Sequence, residues 1–527
     1  VTKPRVRIPV RTKAIAGFTR GEMKAFASVM SHYVLNGGDY DGASDDEEAF
    51  KNWSTHPGSG DGDTLGALST LRSRSRNLDH NDPIAHGTLG RLTTNVVNTG
   101  LTLRSDVVEE VLGISGEQAE AFQRRAELLF GLWANSTLCD ASRATNFAGL
   151  QQIVYRSSRA SGDSFTMRRH LPGPRAFVGL ALQIIEADRV ANPPTVPATL
   201  DCAAGIRVDP HGAPLGFYVS DFHPGDRLGT PGMGEDFTYI PAIGPESGEP
   251  LILHHRKKTR SGTRRGVPYL AAVIKLLKQL KRYADAELMA AVLSAFFTVF
   301  VKTPHGNGGD LEKAEDADTS LGPGAIVNLA QGEDITFANP ARPNAQFDPF
   351  FIAVVRQIGI ALEIPYEVLL GHFTASYSAS RAALETAWQF FRTERAWLAA
   401  SFCQPVYEWF VAECVALGLL DAPGFFIDPI ARAAWCGAEW IGPARISLDP
   451  KKEAEANEIY EAHGWKTAQE ITAETTGGDW RRKNAVRGRE VAARREAGLE
   501  SVAPIGDNGG PPLDAADPDA QDKEERG

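Results

Sequence analysis

Apolar positions recur at three- and four-residue steps over long stretches of this chain. The longest uninterrupted run is Pro268 to Lys302. There Leu270, Val273, Ile274, Leu277 and Leu280 follow the spacing of one buried helix face, while Lys275, Lys278, Lys281 and Arg282 fall at similar steps on another. Pro268 suits a first helical turn, where its missing N–H costs nothing. No Gly or further Pro interrupts until Pro304. Such a helix is about 50 Å long, enough to reach from one part of the molecule to another. Its apolar half, Leu288 to Val301, spans 14 residues, whereas a bilayer needs about 20. It reads as a buried or subunit-packed helix.

Before this run, residues 66–98 carry two helical patterns. Asp82 is placed to cap the second, with Pro83 at its first position. Leu89, Leu92, Val96 and Val97 form its buried face, and Gly100 ends it. LTLRSDV then starts an extended segment. Residues 116–160 are helical again, with Trp133 and Phe147 as core aromatics. After Gly162 the period changes. SFTMRRHL and FVGLALQIIEADRV read as strands, and GIRVDPHGAPLGFYVS as a hairpin. Residues 66–266 are thus mixed α/β. After the run, 303–345 is rich in Gly, Pro and Asp, with two short strands, AIVNLA and DITFAN. A helix FDPFFIAVVRQIGIALEIP follows, with Asp348 as its cap and Pro349 after it. VLLGHFTASYSAS breaks the pattern. One long amphipathic helix is expected from Ser380 to Leu417, rich in aromatics. Residues 447–498 read as charged and helical, and from Ser501 the composition predicts disorder.

Charge narrows the function. The 527 residues carry a formal net charge of −11, the wrong sign for a protein that grips nucleic acid tightly by its phosphates. Weak sliding contact stays open. Five cysteines without a CxxC pair exclude a disulfide framework or zinc site and fit a reducing compartment. Lys3, Arg5, Arg7, Arg11 and Lys13 make a basic arm, without the apolar core of a signal peptide. Residues 34–65 read as an acidic surface loop, since Gly42 in DYDG is misplaced for an EF-hand. HHRKKTRSGTRRG, 254–266, is the most basic run: a solvated loop or a nucleic-acid patch. Walker A, GxGxxG and HExxH patterns are absent, and no cofactor or metal is implied. Gly162-Asp163-Ser164-Phe165 is similar to the nucleophile block of GDSL-type hydrolases, but no Asp stands three before any His to activate Ser164. Asp209-x-His211 and Asp221-x-His223 could each place two ligands on a strand face, although the first pair reads as a turn.

Four blocks resemble the lambda-type family of tailed-phage portal proteins. They are RNLDHNDPIAHGTLGRLTTNVVNTGLTL; QQIVYRSSRASGDSFTMRRH, with Gly162-Asp163 where the family has Gly-Glu; LHHRKKTRSGTRRGVPYLAAVIKLLKQLKRYADAELMAA, with Arg265 to Pro268 as its Arg-Gly-x-Pro; and ALEIPYEVLLGHFTASYSASRAALETAWQFFRTERAWLAASFCQPVYEWFVAECVALG. In the last, Tyr377, Ser378 and Arg381 supply a Tyr-Ser-x-x-Arg element, and Ser376 replaces the usual Asn.

The resemblance implies a non-enzymatic α+β portal fold that forms a dodecameric ring. On it, 1–65 is a flexible arm and acidic loop, 66–266 a wing, 267–302 stem helix I and 303–345 the clip. Stem helix II is 346–361, the tunnel loop 362–380, a wing or hub helix 381–446, the crown 447–500 and a disordered tail 501–527. Double-stranded DNA would pass through the ring. The terminase large subunit, the major capsid protein and head-completion or adaptor proteins would bind it at a capsid vertex of the virion, after assembly in the host cytoplasm. Lys275, Lys278, Lys281, Arg282, His372 and Phe373 are the tunnel candidates, though the stem cations could equally pair between neighbouring helices. Tyr377, Ser378 and Arg381 would anchor the loop, Arg381 to its own helix. The alternatives are a serine hydrolase built on Ser164 and a membrane-associated pore using 288–301.

Overall fold

The structure, a computed structural model, describes residues 57–226, 236–295, 299–302, 334–337, 346–373, 376–445 and 449–499, with Glu48 and Lys51. The chain divides into two units, 1–59 and 60–527. In the first, Lys51 pairs with Glu48 at 2.5 Å. The second carries the long helices and the sheets. The basic arm, the DYDG stretch, most of 303–345 (including AIVNLA) and 501–527 lie outside the described residues.

Helix α1 spans Gly60–Asn81, so its first turn lies inside the stretch expected to be an acidic loop. Acids there suit a helix start. Asp61 and Asp63 sit at the positive end of the helix dipole and meet the basic run: Arg264 pairs with Asp61 at 3.0 Å and Arg260 with Asp63 at 2.6 Å. Helix α2, Pro83–Val96, begins where expected, with the Asp82 carboxylate accepting from Ala85 N–H. Helices α3, Gly116–Ala134, and α4, Phe147–Ser161, follow the short strand β1, Thr102–Ser105.

Strand β2, Asp163–His170, is central to a three-stranded antiparallel sheet, between β3, Leu180–Glu186, and β8, Ile252–Arg256. Its period of two sends side chains to opposite faces. Phe165 and Met167 pack with Phe217, Val219 and Ile206 of a second sheet. That sheet runs β4, Cys202–Ala203, β5, Ile206–Val208, β6, Pro214–Ser220, and β7, Phe237–Pro241, with β5 and β6 forming the expected hairpin. Ser164 and Thr166 face the helices instead. The expected solvated loop holds for only part of 254–266: residues 257–266 form no helix or strand and 258–262 are exposed, but His254 to Arg256 belong to β8, and His255 and Arg265 are buried.

The long run is divided rather than continuous. After a 3-10 turn at Ala271–Val273, helix α5 spans Ile274–Ala295, and Val299–Lys302 form strand β9, paired antiparallel with β10, Asp334–Phe337. Alternating valine and aromatic residues favour a pleated strand once a partner is at hand. Helix α6, Phe347–Ala361, packs beside α5 through Tyr283, whose ring lies 5.5 Å from Phe347 and 5.0 Å from Phe350. Gln346, not Asp348, occupies the cap; Asp348 lies inside the first turn, where it still meets the helix dipole. A short helix α7, Tyr366–Leu370, precedes α8, Tyr377–Leu398.

The single helix expected from Ser380 to Leu417 is interrupted. A π-helical turn at Ala399–Cys403 separates α8 from α9, Gln404–Ala416. Pro405, at the start of α9, has no N–H to donate back into the preceding turn. Both segments pack into the main core, where Phe130 of α3 lies 5.4 Å from Trp133 and from Phe147, and 5.2 Å from Phe410. Strand β11, Ala438–Ile441, pairs with β1. Helices α10, Pro450–Ala462, α11, Ala468–Thr476, and α12, Trp480–Glu496, bury no residue.

Candidate functional site

Two of the singled-out motifs meet in the interior. Asp163, at the start of β2, is fully buried. Arg265 donates to it from Nε at 2.6 Å and from Nη2 at 3.1 Å; Arg72 of α1 donates from Nη2 at 2.7 Å. His254 Nε2 faces it at 3.1 Å, and Gly266 N–H at 3.3 Å. Burial alone would raise the Asp163 carboxyl. The charge of Arg265, the His254 hydrogen bond and the charge of Arg72 outweigh it and hold the group well below the usual carboxylate range. Burial drives His254 down to about 4 against the pull of Asp163, so the ring is neutral at pH 7 and donates from Nε2. Arg72 is lowered to about 10 by burial and the nearby Arg265, and stays charged.

The backbones beside these charges touch. Gly162 has φ 90°, which favours glycine, and a Cβ there would collide with the Gly266 carbonyl. A Cβ on Gly266 would collide with the Gly162 carbonyl in turn. Gly162-Asp163 and Arg265-Gly266 are therefore two halves of one joint, which locks α5's lead-in to the central sheet.

A second buried charge fixes α8. Glu394 is 1% exposed. It accepts from the Tyr155 hydroxyl at 2.9 Å and pairs with Lys257 and, at 3.4 Å, with Arg159. Arg159 also stacks 4.4 Å over the Trp397 ring. Sequence reading singled out neither Glu394 nor Arg159, since their partners lie far away in the chain.

The tunnel candidates divide. Lys275, Lys278 and Arg282 are exposed and line, with Arg74 of α1, a groove of about 760 Å³. Lys281 is committed elsewhere: its Nζ donates to the Asn81 carbonyl at 2.7 Å, at the C-terminal end of α1, where a cation is favoured. His372 and Phe373 are exposed beyond Gly371, whose φ of 68° closes α7. Arg91 of α2 holds this corner by donating to the Val368 carbonyl at 2.9 Å. The expected Arg381 anchor is not seen. Tyr377, Ser378 and Arg381 are exposed, and Arg381 has no partner among the described residues. Ser376 does the local work, its hydroxyl accepting from Ala379 N–H as the α8 cap. A serine oxygen satisfies an orphan N–H as an asparagine does.

The other chemical candidates are structural. Ser164 is fully buried and donates to the Val154 carbonyl at 3.3 Å. His255, opposite it on β8, is 2.7 Å from Thr166 Oγ1. Asp209 accepts from His211 N–H and Ala213 N–H, which makes a turn. His223 faces Glu186 and Asp188 rather than Asp221. Among the described residues, no group of three His, Cys, Asp or Glu could hold a metal, and no helix is long and apolar enough to cross a membrane.

The family model described as "Phage portal protein, lambda family" matches residues 46–395. The chain belongs to the lambda family of phage portal proteins. Within this family, the portal protein of Escherichia phage N15 is 24% identical over 484 residues, covering 86% of this chain and 90% of that one. Portal protein B of Escherichia phage lambda is 22% identical over 483 residues, covering 86% and 89%. Among solved structures, a chain of the virion of a native gene transfer agent particle aligns over 77% of this chain and 92% of its own, at 14% identity and a TM-score of 0.43. A chain from the neck of such a particle, computed with C12 symmetry, aligns over 80% and 96%, at 14% identity and a TM-score of 0.41. The family match takes in three of the four sequence blocks whole and the fourth as far as 395, and two of them form the Asp163–Arg265 joint.

Proposed function

We propose that twelve copies of this chain form a ring at one capsid vertex of the virion, through which double-stranded DNA is packaged and later ejected. Family membership supports the portal role. The observation that carries the ring is the division of α5. Leu277 and Leu280 are buried, but beyond them Leu288 is 68% exposed, Met289 60% and Val292 46%, with Phe350 of α6 exposed alongside. An apolar rod face left bare in one chain is stabilised by burial against the next copy.

In this reading α5 and α6 are the stem, 303–345 is the clip that docks the terminase large subunit and head-completion or adaptor proteins, and 362–380 is the tunnel loop carrying His372 and Phe373. The two sheets form the wing beside the major capsid protein, and 447–500 the crown inside the capsid. The ring assembles in the host cytoplasm and does no chemistry; a separate terminase hydrolyses ATP. Its physical task is restraint, since a duplex moving both ways must not be held by any phosphate contact. Twelve copies at −11 give −132, a repelling surface. Rings of Lys275, Lys278 and Arg282 would centre the duplex with contacts that salt screens over about 10 Å at 0.1 M.

Native mass spectrometry tests this. Twelve chains of 56.9 kDa give a ring of about 680 kDa, expected without detergent, and a monomer at micromolar concentration would refute it. Deleting 305–340 should leave the ring intact while abolishing terminase binding in a pull-down. Loss of the ring instead would refute the clip assignment.

A further inference from the structure

Among the described helices α12 is the most basic, in a chain that is acidic overall. Arg481, Arg482, Lys483, Arg487, Arg489, Arg494 and Arg495 face only Glu490 and Glu496, a formal +5 over 17 residues. Arg481 donates to Gln123 and Lys483 to Thr476. Arg487, Arg489, Arg494 and Arg495 are exposed and have no side-chain partner among the described residues. The helix also stands off the body. A cleft of about 1490 Å³ lies between them, with Phe130, Phe147 and Ile441 on one wall and Arg487, Arg494 and Arg495 on the other. Glu127, Glu461, Asp479 and Glu490 line it too, four acids against the five cations Arg482, Lys483, Arg487, Arg494 and Arg495; of these cations the three named on the far wall are exposed and have no side-chain partner among the described residues. Small-molecule sites usually occupy about 300–1,000 Å³, so this space suits a stretch of polypeptide better.

Leu499, the last described residue, lines the same cleft. The 28 residues after it carry eight carboxylates against Lys523 and Arg526, a formal −6, with six of the acids between Asp514 and Glu525. Val502 and Ile505 precede them. Fourteen residues of chain reach up to about 46 Å, while α12 is about 25 Å long. Sign, reach and point of departure therefore agree.

We propose that residues 500–527 fold back onto this cleft, with Val502 and Ile505 against its apolar wall and the carboxylates on Arg487, Arg494 and Arg495, so that the chain carries its own competitor for any polyanion approaching α12. This does not depend on ring formation. Tethering at millimolar effective concentration makes even a weak contact, of about 0.1 mM, lower the affinity for a competing polyanion about tenfold.

The test compares the full chain with one ending at Leu499, using a 30-base-pair duplex followed by fluorescence anisotropy. At 50 mM salt the shortened chain should bind about tenfold more tightly, with the difference vanishing at 500 mM. Arg487→Gln, Arg494→Gln and Arg495→Gln together should abolish the gain from shortening. Equal affinity of the two chains would give the cleft to nucleic acid and overturn the proposal. So would a gain that survives the triple substitution, because the segment would then repel DNA without touching α12. If neither chain binds, carbodiimide cross-linking of the full chain decides: a product joining Lys483 to a carboxylate within 514–525 supports the contact, and its absence overturns it.

Discussion

Replacing Asp163 with asparagine strands cations in the interior. Arg265 is 2% exposed and keeps only the carbonyls of Ala187, Val190 and Ala204; Arg72 keeps the Ser161 carbonyl and, at 3.7 Å, Asp188. Removing one partner of a buried ion pair costs about 3–5 kcal/mol, a large share of the roughly 5–15 kcal/mol that holds a domain together. With a urea m-value of about 3 kcal/mol/M, the unfolding midpoint should fall by about 1 M or more. Near-UV circular dichroism along a urea gradient reads this directly. The pair Asp163→Asn with Arg265→Met should cost less than the sum of the two single changes, by up to about 3 kcal/mol, because it removes the stranded charge as well. The pH profile supplies an independent check. Asp163 is held below its unfolded value of 3.8, so its contribution is complete above about pH 4 and is lost as pH falls further. Asp163→Asn should lack that part of the acid limb. A midpoint within about 0.3 M of the parent, or strict additivity of the two changes, would refute the claim that this carboxylate holds the joint.

Other changes probe neighbouring features. Gly266→Ala drives a Cβ into the Gly162 carbonyl and should cost about 1–3 kcal/mol or more, measured by the same urea midpoint; a neutral result would deny the backbone contact. Glu394→Gln should loosen α8 from α4, seen as faster amide exchange over 377–398 while the β2–β3 strands stay protected. His255, pushed down to about 3 by burial and then by the nearby His254, is neutral in the fold. Stability should thus be complete above about pH 6.5 and fall as pH drops from 6.5 toward 3; His255→Gln should flatten that slope, and an unchanged slope would assign it to other groups.

Much of the secondary structure was legible because it is locally encoded. Asp82-Pro83 marks the α2 start, and the period-two pattern after Gly162 marks β2 and β3. What stayed hidden depends on partners distant in sequence. Nothing around Val299 says that Asp334–Phe337 will pair with it, so a helical pattern ran on to Lys302. The charges of 254–266 suggested an outward face because their carboxylates, Asp61, Asp63, Asp163 and Glu394, come from three other places in the chain. Gly162-Asp163 and Arg265-Gly266 were both noticed as family blocks. Their union required the β2–β8 register, which sets Asp163 opposite Arg256.

The glycine-on-glycine joint has a mechanical corollary. Side chains that connect two elements act as springs, since each can swing among rotamers before it transmits load. Here two main chains abut with nothing between them, clamped by Arg265 on Asp163. A pull or twist along α5 thus reaches the sheets with almost no slack, and rod and sheets answer it as one stiff piece.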